Sequence, residues 1–417
     1  MQGRIIMHID VNSAFLSWQA VYNLQRGHSV DLRGIPSAVG GNQVTRHGII
    51  LARSIPAKKC GVKTGETVWE AKNKCPNLVL VPPNHHLYIK CSRALMEVLN
   101  EYSPRVQQYS IDEAFLDYTG MEECLGEPVS LACRLKDRIH KELGFTVNIG
   151  ISCNKLLAKM ASELKKPDRV HTLFPEEIRD KMWPLSVEDL FMVGKKTAKK
   201  LQAMGIFTIG DIASADPGLL KYKLKSHGLL IYNYARGIED SAVFPGYYMP
   251  MKGIGNSSTI PFDVEDTRTA RLILLSLSET VAMRLRYSRN CCSVIAVSIK
   301  YSDFKCCSRQ RTLLTPANCT MDIYKTAARL FDEAWDGSPV RHIGLRVTGL
   351  DSDNHIQCSV FDHPRHAGNL QLDRTMDNIR SAYGIKSLVR ACFINSGICA
   401  SLGGIGSENW PVMSSTL

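Results

Sequence analysis

The chain has 417 residues, and its 51 Lys and Arg against 40 Asp and Glu give a formal net charge of +11. At about 150 residues per domain this length predicts two to four domains, and 44% hydrophobic with 22% charged residues excludes a largely disordered chain. No apolar run reaches the roughly 18 residues of a membrane span, and His8 and Asp10 interrupt the short apolar N-terminus. We therefore expect a cytoplasmic protein without a secretory signal, and the positive excess favours polyanionic partners such as nucleic acid.

The 14 cysteines are expected to be reduced thiols that pack as small apolar groups, because a long chain without an export signal is not typical of a disulfide framework. The adjacent pairs Cys291-Cys292 and Cys306-Cys307 raise a zinc hypothesis, but a zinc knuckle has two residues between its ligands. Inert thiols are the favoured interpretation, and a metal or redox role is the alternative.

Strand-like and helical segments alternate over about the first 170 residues. IIMHIDV predicts a buried strand that ends near Asp10, and a helix follows from about Ser13 to Gly27. Further strands are predicted at SAVGG, HGIILARS, NLVLVPP and FTVNIGIS, and further helices at ETVWEAKNKCP, HHLYIKCSRALMEVLNEYSP, PVSLACRLKDRIHKELG and NKLLAKMASELKKP. Among them, VQQYSIDEAFLDYTG predicts a hairpin with Asp112 and Glu113 at its turn. This alternation is typical of an α/β or α+β catalytic core.

The later part of the chain has a different character. Residues 174–240 are helical and basic, and FPGYYMPMKGIGNSS (244–258) predicts a linker. The strands CSVIAVSIKYSD and VRHIGLRVTGL, with the helices TARLILLSLSETVAMRLR and MDIYKTAARLFDEAWDG, predict a small domain of β-α-β-β-α-β order. LQLDRTMDNIRSAYG predicts one more helix, and the Gly/Ser-rich end of the chain is expected to be loose.

Three carboxylates, Asp10, Asp112 and Glu113, lie near predicted strand ends. Such groups are costly to bury without partners, and hard divalent ions bind carboxylate and phosphate oxygens together. Two such ions can bridge the attacking and leaving oxygens of a phosphoryl transfer. The alternative is that these acids cap turns or pair with surface cations, and spacing alone does not decide between the two.

Two groups of cations are candidates for phosphate binding. MVGKKTAKK lacks the first glycine of a Walker-type loop, but a tight glycine turn between two short helices can present backbone N–H groups to a DNA phosphate. A solvated basic helix face is the alternative there. Arg53, Lys58, Lys59 and Lys63, together with Lys155, Lys159, Lys165 and Lys166, are candidates to bind the outer phosphates of a metal-bound triphosphate.

Five motifs resemble those of the Y-family DNA polymerases and are most similar to the bacterial DNA polymerase IV and UmuC-like group. In chain order they are IDVNSAF, SIPAKKCGVKTGE, YSIDEAFLD, GIS-CNKLLAKMASELKKP and VGKKTAKKLQAMGI. The resemblance covers about residues 4–350, and SIDEAFLD is its most specific part.

The resemblance implies an α+β right-hand polymerase. The palm is expected at residues 1–17 and 85–173, the fingers at 18–84, the helix-hairpin-helix thumb at 174–240 and the β-α-β-β-α-β little finger at 245–352. Residues 353–417 are then a C-terminal tail.

The resemblance also assigns the site residues. Asp10, Asp112 and Glu113 are implied to be catalytic and, with the carbonyl of Val11, to hold two Mg²⁺ ions. Phe15 falls at the steric gate, where an aromatic ring strikes a ribose 2′-OH and favours deoxynucleotides. The remaining implied contacts are to the triphosphate, from Arg53, Ser54, Lys58 and Lys166, and to the DNA backbone, from Gly194, Lys195, Lys196 and Thr197.

The fingers depart from the usual family pattern. The typical motif is Tyr-Pro-Ala-Arg, whereas this chain has Ile55-Pro56-Ala57-Lys58. It also has Ala52 where many relatives have threonine. A lysine cannot form the bidentate fork of an arginine, so the departure concerns nucleotide affinity more than the chemistry.

The tail contains Gln357-Cys358-Ser359-Val360-Phe361, which is similar to the peptide by which bacterial polymerases hold the sliding clamp. Gln357, Val360 and Phe361 are its candidate contacts. Because Cys358 and Val360 are smaller than the usual leucine, we expect weak binding.

The resemblance thus implies a monomeric, nucleoid-associated, error-prone translesion DNA polymerase that acts on primer-template DNA and dNTPs during damage tolerance, and we expect no proofreading domain. One alternative is a catalytically weak DNA-binding accessory protein that links the clamp to damaged DNA. Another is a metal-dependent nuclease, which Phe15 and the finger motif disfavour.

Overall fold

A computed structural model of the chain describes residues 3–42, 46, 48–244, 251–353 and 366–400. These residues divide into two compact units. The first comprises 3–41 and 49–244, and the second comprises 42, 46, 48, 251–353 and 366–400. Within these ranges no helix is both long and apolar enough to cross a membrane.

The first unit contains eight strands and eleven α-helices within its described residues. Its strands are β1 (Ile6–Val11), β2 (Ser37–Gly40), β3 (Ile50–Arg53), β4 (Val79–Val81), β5 (Val106–Gln108), β6 (Glu113–Asp117), β7 (Val147–Ser152) and β8 (Val170–Thr172). Its helices are α1 (Ala14–Gln25), α2 (Ile55–Lys59), α3 (Val68–Lys74), α4 (His85–Asn100), α5 (Glu122–Leu125), α6 (Pro128–Leu143), α7 (Lys155–Glu163), α8 (Lys195–Gln202), α9 (Ile209–Ser214), α10 (Pro217–Leu224) and α11 (Ser226–Ala235).

The main sheet of this unit has the strand order β5-β6-β1-β7-β8. β1 pairs antiparallel with both β6 and β7, and all six of its residues are buried, as expected for a central strand. One face of the sheet packs against α1, α4 and α6 around Trp18, Tyr88 and Leu135, and α7 covers the other face. The predicted strands, helices and hairpin of this part are confirmed, except that Glu113 begins β6 and only Asp112 lies in the turn.

Two smaller parts complete the first unit. The sheet β3-β2-β4 packs with α2 and α3 around a small core that includes Ala57 and Ala71. The helices α8 to α11 form a separate core with α7, and Leu201 and Ile231 are fully buried in it. This second part is the predicted basic helical region.

The second unit has the predicted β-α-β-β-α-β order. Its elements are β9 (Gly253–Val264), α12 (Thr267–Tyr287), β10 (Asn290–Tyr301), β11 (Cys306–Ala317), α13 (Thr320–Ala334) and β12 (Val340–Ser352). The strands form an antiparallel sheet in the order β11-β10-β12-β9, with α12 and α13 packed on its apolar face. The predicted linker over 244–258 is wrong from Gly253 onwards, because β9 begins there and pairs with β12.

A C-terminal segment, residues 366–400, packs onto this domain. It begins with α14 (His366–Tyr383), and Phe393 and Ile398 join the apolar core of the second unit. Glu279 of α12, 2% exposed, accepts hydrogen bonds from Arg380 at 3.2 Å and Arg390 at 2.6 Å. Because a buried carboxylate requires such partners, the segment is part of the folded domain up to about residue 400.

Candidate active site

The three predicted carboxylates meet at one end of the main sheet. The β1–β6 register places Asp10 directly opposite Glu113, and the backbone N–H of Val11 donates to the carbonyl oxygen of Asp112 at 3.1 Å. Asp112 lies in the turn immediately before β6, and its carboxylate accepts a hydrogen bond from the Ser110 hydroxyl at 2.6 Å. Two segments about 100 residues apart in the chain are therefore adjacent in the fold.

Two lysines pair with two of these three carboxylates. The Lys159 ammonium donates to Glu113 Oε2 at 2.6 Å, and the Lys166 ammonium pairs with Asp10 and, at 2.7 Å, with Glu163. Lys159 lies on α7 and Lys166 shortly beyond it, so the packing of α7 on the sheet supplies both charges.

A buried histidine lies beside Glu113. His8 is fully buried, its Nδ1 lies 2.8 Å from Ser162 Oγ, and its Nε2 lies 3.6 Å from Glu113 Oε2. Burial lowers the pKa of His8 to about 4, so the ring is neutral at pH 7. The positive charge beside Glu113 therefore comes from Lys159.

The three acids differ in the direction in which their pKa values are shifted. Burial raises the pKa of Asp10 to about 7, an effect that the Lys166 charge only partly offsets, and it raises the pKa of Asp112. For Glu113 burial acts in the same direction, but the contacts with His8 and Lys159 outweigh it and lower the pKa to about 2. One firmly ionised carboxylate thus lies beside two whose negative charge is costly without a cation.

The donor set suits a divalent metal ion, because carboxylate and carbonyl oxygens are the ligands of hard cations. In the described ranges, however, no three His, Cys, Asp or Glu side chains are grouped so that they could hold a metal ion. The side chains of Asp10 and Glu113 contact lysines instead. The backbone register brings the acids together, and the lysines pair with two of them.

Phe15 lies in the first turn of α1, which follows directly from β1. Its ring stacks on Tyr88 of α4 with 4.6 Å between centroids and 10° between planes. The turn from strand to helix requires a positive φ of 50° at Ser13. This short connection places Phe15 five residues after Asp10 in the chain, just beyond the end of β1.

The predicted triphosphate residues of the fingers have different environments. Lys58 is exposed on α2, and Arg53 donates to Thr64 Oγ1 at 2.7 Å. Ser54 is 2% exposed, and its hydroxyl accepts from the N–H groups of Ser37 and Ala57 and donates to the carbonyl oxygen of Ile35. Its hydroxyl is thus the N-cap of α2 and is already committed to protein partners.

The other candidate phosphate-binding lysines differ in their exposure. Lys155 is 1% exposed and donates to the Ala242 carbonyl oxygen at 3.0 Å, so it is a structural residue, and the expectation that it binds phosphate is wrong. In the thumb, Gly194 is the N-cap of α8, and Lys195 and Lys196 are exposed in its first turn. The clamp-peptide residues Gln357, Val360 and Phe361 lie outside the described residues.

Sequence reasoning missed three contributors to the site: His8, Tyr88 and the pairing of Lys159 with Glu113. His8 is a polar residue inside an apolar strand, and that pattern is a signal for a buried partner. Tyr88 and Lys159 give no such signal, because each follows ordinary helical spacing and acts through tertiary contacts.

The fold that surrounds this site is that of the Y-family DNA polymerases. A solved Y-family DNA polymerase chimera superposes with a TM-score of 0.71 at 23% sequence identity, over 83% of this chain and 99% of that chain. The predicted α+β fold class is confirmed.

The impB/mucB/samB family model matches residues 9–163, the C-terminal domain model of that family matches 251–360, and the family's HHH motif matches 175–206. Relatives described as DNA polymerase IV are 45% identical in Clostridium acetobutylicum, over 94% of this chain and 98% of that protein, and 38% identical in Acetivibrio thermocellus, also over 94% and 98%. DNA polymerase IV 1 of Bacillus subtilis is 37% identical over 92% of each chain. This chain belongs to the impB/mucB/samB family, and the resemblance predicted from its motifs is confirmed.

Proposed function

We propose that this protein is a template-directed DNA polymerase of the translesion type, which adds dNTPs to a primer 3′-OH. The observation that carries the proposal is the meeting of Asp10, Asp112 and Glu113 at one end of the main sheet. The relatives named DNA polymerase IV, similar over nearly the whole chain, support it. Primer-template DNA and dNTPs are the partners that this function requires.

The acids supply the ligands for catalysis. Asp10, Asp112, Glu113 and the Val11 carbonyl are proposed to hold two Mg²⁺ ions. Bound there, the ions supply electrostatic stabilisation of the charge that develops as the primer oxygen displaces pyrophosphate. The sheet holds Asp10 opposite Glu113. The segment that includes α7 places the Lys159 and Lys166 ammonium groups at these two carboxylates.

Three cations are proposed to bind the triphosphate: Lys166, Lys58 and Arg53. The Lys166 ammonium already lies at Asp10, so it is near the place where a metal-bound phosphate would sit. Ser54 is left out of this set, because its hydroxyl is the N-cap of α2. Phe15 is proposed as the steric gate, and Tyr88 as the surface that fixes the plane of its ring.

The second unit offers a face for the DNA duplex. On the open side of its sheet, register aligns Ser308, Ser298, Gly344 and Ser257 in one row across all four strands. Lys300 and His342 lie in the next row on one side, and Arg346 lies in the next row on the other. Small hydroxyl side chains between cations suit a sugar-phosphate backbone, and Gly194, Lys195, Lys196 and Thr197 are proposed to hold a second stretch of backbone.

Further parts of the proposal concern the setting of the enzyme. We propose error-prone synthesis in the cytoplasm at the nucleoid, by a monomer, with weak sliding-clamp binding through Gln357, Val360 and Phe361. A forward-mutation assay with replicative-level accuracy would contradict the error-prone part.

Primer extension tests the central proposal. The wild type is compared with Asp112→Ala/Glu113→Ala on an undamaged template with Mg²⁺ and dNTPs, and primer-template affinity is measured for both. We expect extension only by the wild type and similar DNA affinity for both proteins. A wild type that binds primer-template but adds no nucleotide would favour the accessory-protein function, with Ile55 and Lys58 as the first residues to examine.

A further inference from the structure

The turn between α10 and α11 carries a cavity that the proposed polymerase site does not use. The cavity has a volume of about 480 Å³ and is lined by Gly218, Lys221, Tyr222, Lys225, Ser226 and Leu229. The cavity is open to solvent, so a ligand there would be only partly enclosed. Gly228 allows α10 and α11 to pack closely beside the pocket, because a side chain there would overlap the Leu220 carbonyl oxygen.

An exposed aromatic ring lies at this pocket. Tyr222 is 71% exposed, and a large ring left in water is a common feature of a surface that binds a partner. The Lys223 ammonium lies 5.4 Å from the ring centroid and the Lys225 ammonium 5.9 Å from it. The ring is therefore flanked by cations and still largely exposed to solvent.

The charged side chains of this stretch of chain have one sign. Lys221, Lys223 and Lys225 alternate along the chain, and the sequence contains no Asp or Glu between Pro217 and Ile238. The nearest acid before this stretch, Asp216, is occupied at the far end of α10, where it accepts from the N–H groups of Gly218 and Leu219. A polyanion is the partner that this charge favours.

We propose that this α10–α11 pocket binds an unpaired nucleotide of single-stranded nucleic acid, with the base stacked on Tyr222 and its flanking phosphates on Lys221 and Lys225. Aromatic side chains beside cations are the usual means of holding single strands, because every base has a face that can stack. A duplex keeps its bases stacked inside and could use only the lysines. The proposal deepens the DNA-binding part of the proposed function and rests on it for the kind of ligand, but it does not depend on synthesis.

Fluorescence anisotropy of the full chain with a labelled oligo(dT), in EDTA and without dNTPs, tests this proposal. Tyr222→Ala is expected to weaken single-strand binding about tenfold, whereas Tyr222→Phe keeps the ring and stays within about twofold of the wild type. Tyr383→Ala is the matched control, because Tyr383 is 80% exposed and lies on α14 of the other unit. It is expected to bind as the wild type does.

A second variant tests the contribution of Lys225 to phosphate binding. Lys225 has a φ of 60°, so Lys225→Gly removes the charge at a position where glycine readily adopts the backbone conformation. It should melt at or near the wild-type temperature and yet bind the single strand more weakly, with a smaller dependence on salt.

Three results would overturn the proposal. They are wild-type affinity in Tyr222→Ala, an equal loss in Tyr222→Ala and Tyr222→Phe, and an equal loss of affinity for a blunt duplex of the same length. The first result is the one expected if the pocket instead binds an acidic peptide, because such a partner would need the lysines but not the ring. Primer extension is measured separately: a wild type that binds single strands through Tyr222 but does not extend a primer would end the polymerase proposal and leave this site standing.

Discussion

The ring of Phe15 lies against the ring of Tyr88, with 4.6 Å between centroids and only 10° between planes. Phe15 is on the helix that follows β1, whereas Tyr88 is a fully buried residue of α4. A stacked pair holds the two rings nearly parallel to each other. The orientation of Phe15, the proposed steric gate, is therefore set by a residue more than 70 positions further along the chain.

Replacing Tyr88 by leucine should weaken sugar selection. Leucine keeps an apolar side chain but offers no flat surface, so Phe15 can shift, and a displacement of about 1 Å at a reacting group has large kinetic effects. We expect the preference for dNTPs over rNTPs in primer extension to fall about tenfold. Tyr88→Phe keeps the ring and should retain the wild-type preference. Equal selectivity of the leucine variant and the wild type would show that Tyr88 does not contribute to sugar selection.

The buried charges that attach the C-terminal segment should contribute strongly to stability. Glu279 has a side chain only 1% exposed, and Arg380 and Arg390 are its partners. Arg380→Met would leave part of that buried carboxylate uncompensated, and breaking a buried ion pair costs about 3–5 kcal/mol. Thermal or urea unfolding should show a loss of this order for the transition of the second unit.

The exposed pair Arg311–Glu333 is the control for that prediction. Its two side chains are 42% and 50% exposed, and an exposed ion pair contributes about 0–1 kcal/mol. Arg311→Met should therefore unfold almost as the wild type does. Similar losses in the two methionine variants would show that residues 366–400 are not held by the Glu279 contacts.

A methyl group at Gly150 should disturb the site through α7. A side chain at this position of β7 would overlap the carbonyl oxygen of Ala158 and the amide nitrogen of Ser162. Helix α7 must then move away from the sheet, and it carries Lys159, which contacts Glu113. We expect Gly150→Ala to lower the melting temperature and primer-extension activity together.

Gly34→Ala serves as the comparison for this substitution. A side chain at Gly34 would come no closer than 3.6 Å to its nearest neighbour, the Asp31 carbonyl oxygen, which is an ordinary contact. Its melting temperature should stay near that of the wild type. If Gly150→Ala melts as Gly34→Ala does, the packing of α7 on β7 is looser than described.

The adjacent cysteine pairs should differ in their reactivity. Every described cysteine is a free thiol. Cys292 is fully buried, its thiol donates to the Ala317 carbonyl oxygen, and burial raises its pKa to about 12. Since the thiolate is the reactive form, alkylation at pH 8 followed by peptide mapping should modify the exposed Cys306 and spare Cys292 until the protein unfolds. Early labelling of Cys292 would contradict its burial.

The sequence predicted the elements of the main sheet better than the beginning of β9. Alternating or continuous apolar residues identify a strand locally, as in IIMHIDV, because burial is visible in residue type. Gly253 and Gly255 of β9 instead resemble a linker, but a side chain at Gly255 would lie 3.2 Å from Arg346 Cβ. Small residues are used there because the strand runs close to the side chains of β12, and tertiary pairing overrides local propensity.

The motifs predict Asp10 and Glu113 as site residues, but they do not predict the charges around them. The β1–β6 register explains why two residues so distant in the chain lie together. The lysines on them were predicted to bind phosphate. Their contacts with carboxylates could not be anticipated, because pairing depends on how α7 packs across the sheet rather than on sequence spacing.

The altered finger motif provides the last prediction. Lys58 is exposed on α2, a helix whose position is fixed by the Ser54 cap and by buried Ala57. The lysine ammonium offers a point charge, whereas an arginine offers a planar fork that matches two phosphate oxygens. Lys58→Arg should therefore lower the KM for dNTP about fivefold, which corresponds to about 1 kcal/mol, with little change in kcat. Steady-state single-nucleotide insertion measures both constants.

The neighbouring substitution Lys59→Arg separates this effect from a general gain in charge-assisted binding. Lys59 is also exposed and ends the same helix, but it is not at the position that the family motif assigns to the triphosphate. Its KM should equal that of the wild type. A KM that does not change in Lys58→Arg, or one that falls equally in both variants, would show that α2 does not present residue 58 to the nucleotide. The triphosphate would then depend on Arg53 and Lys166, and substitution of either should raise the KM for dNTP.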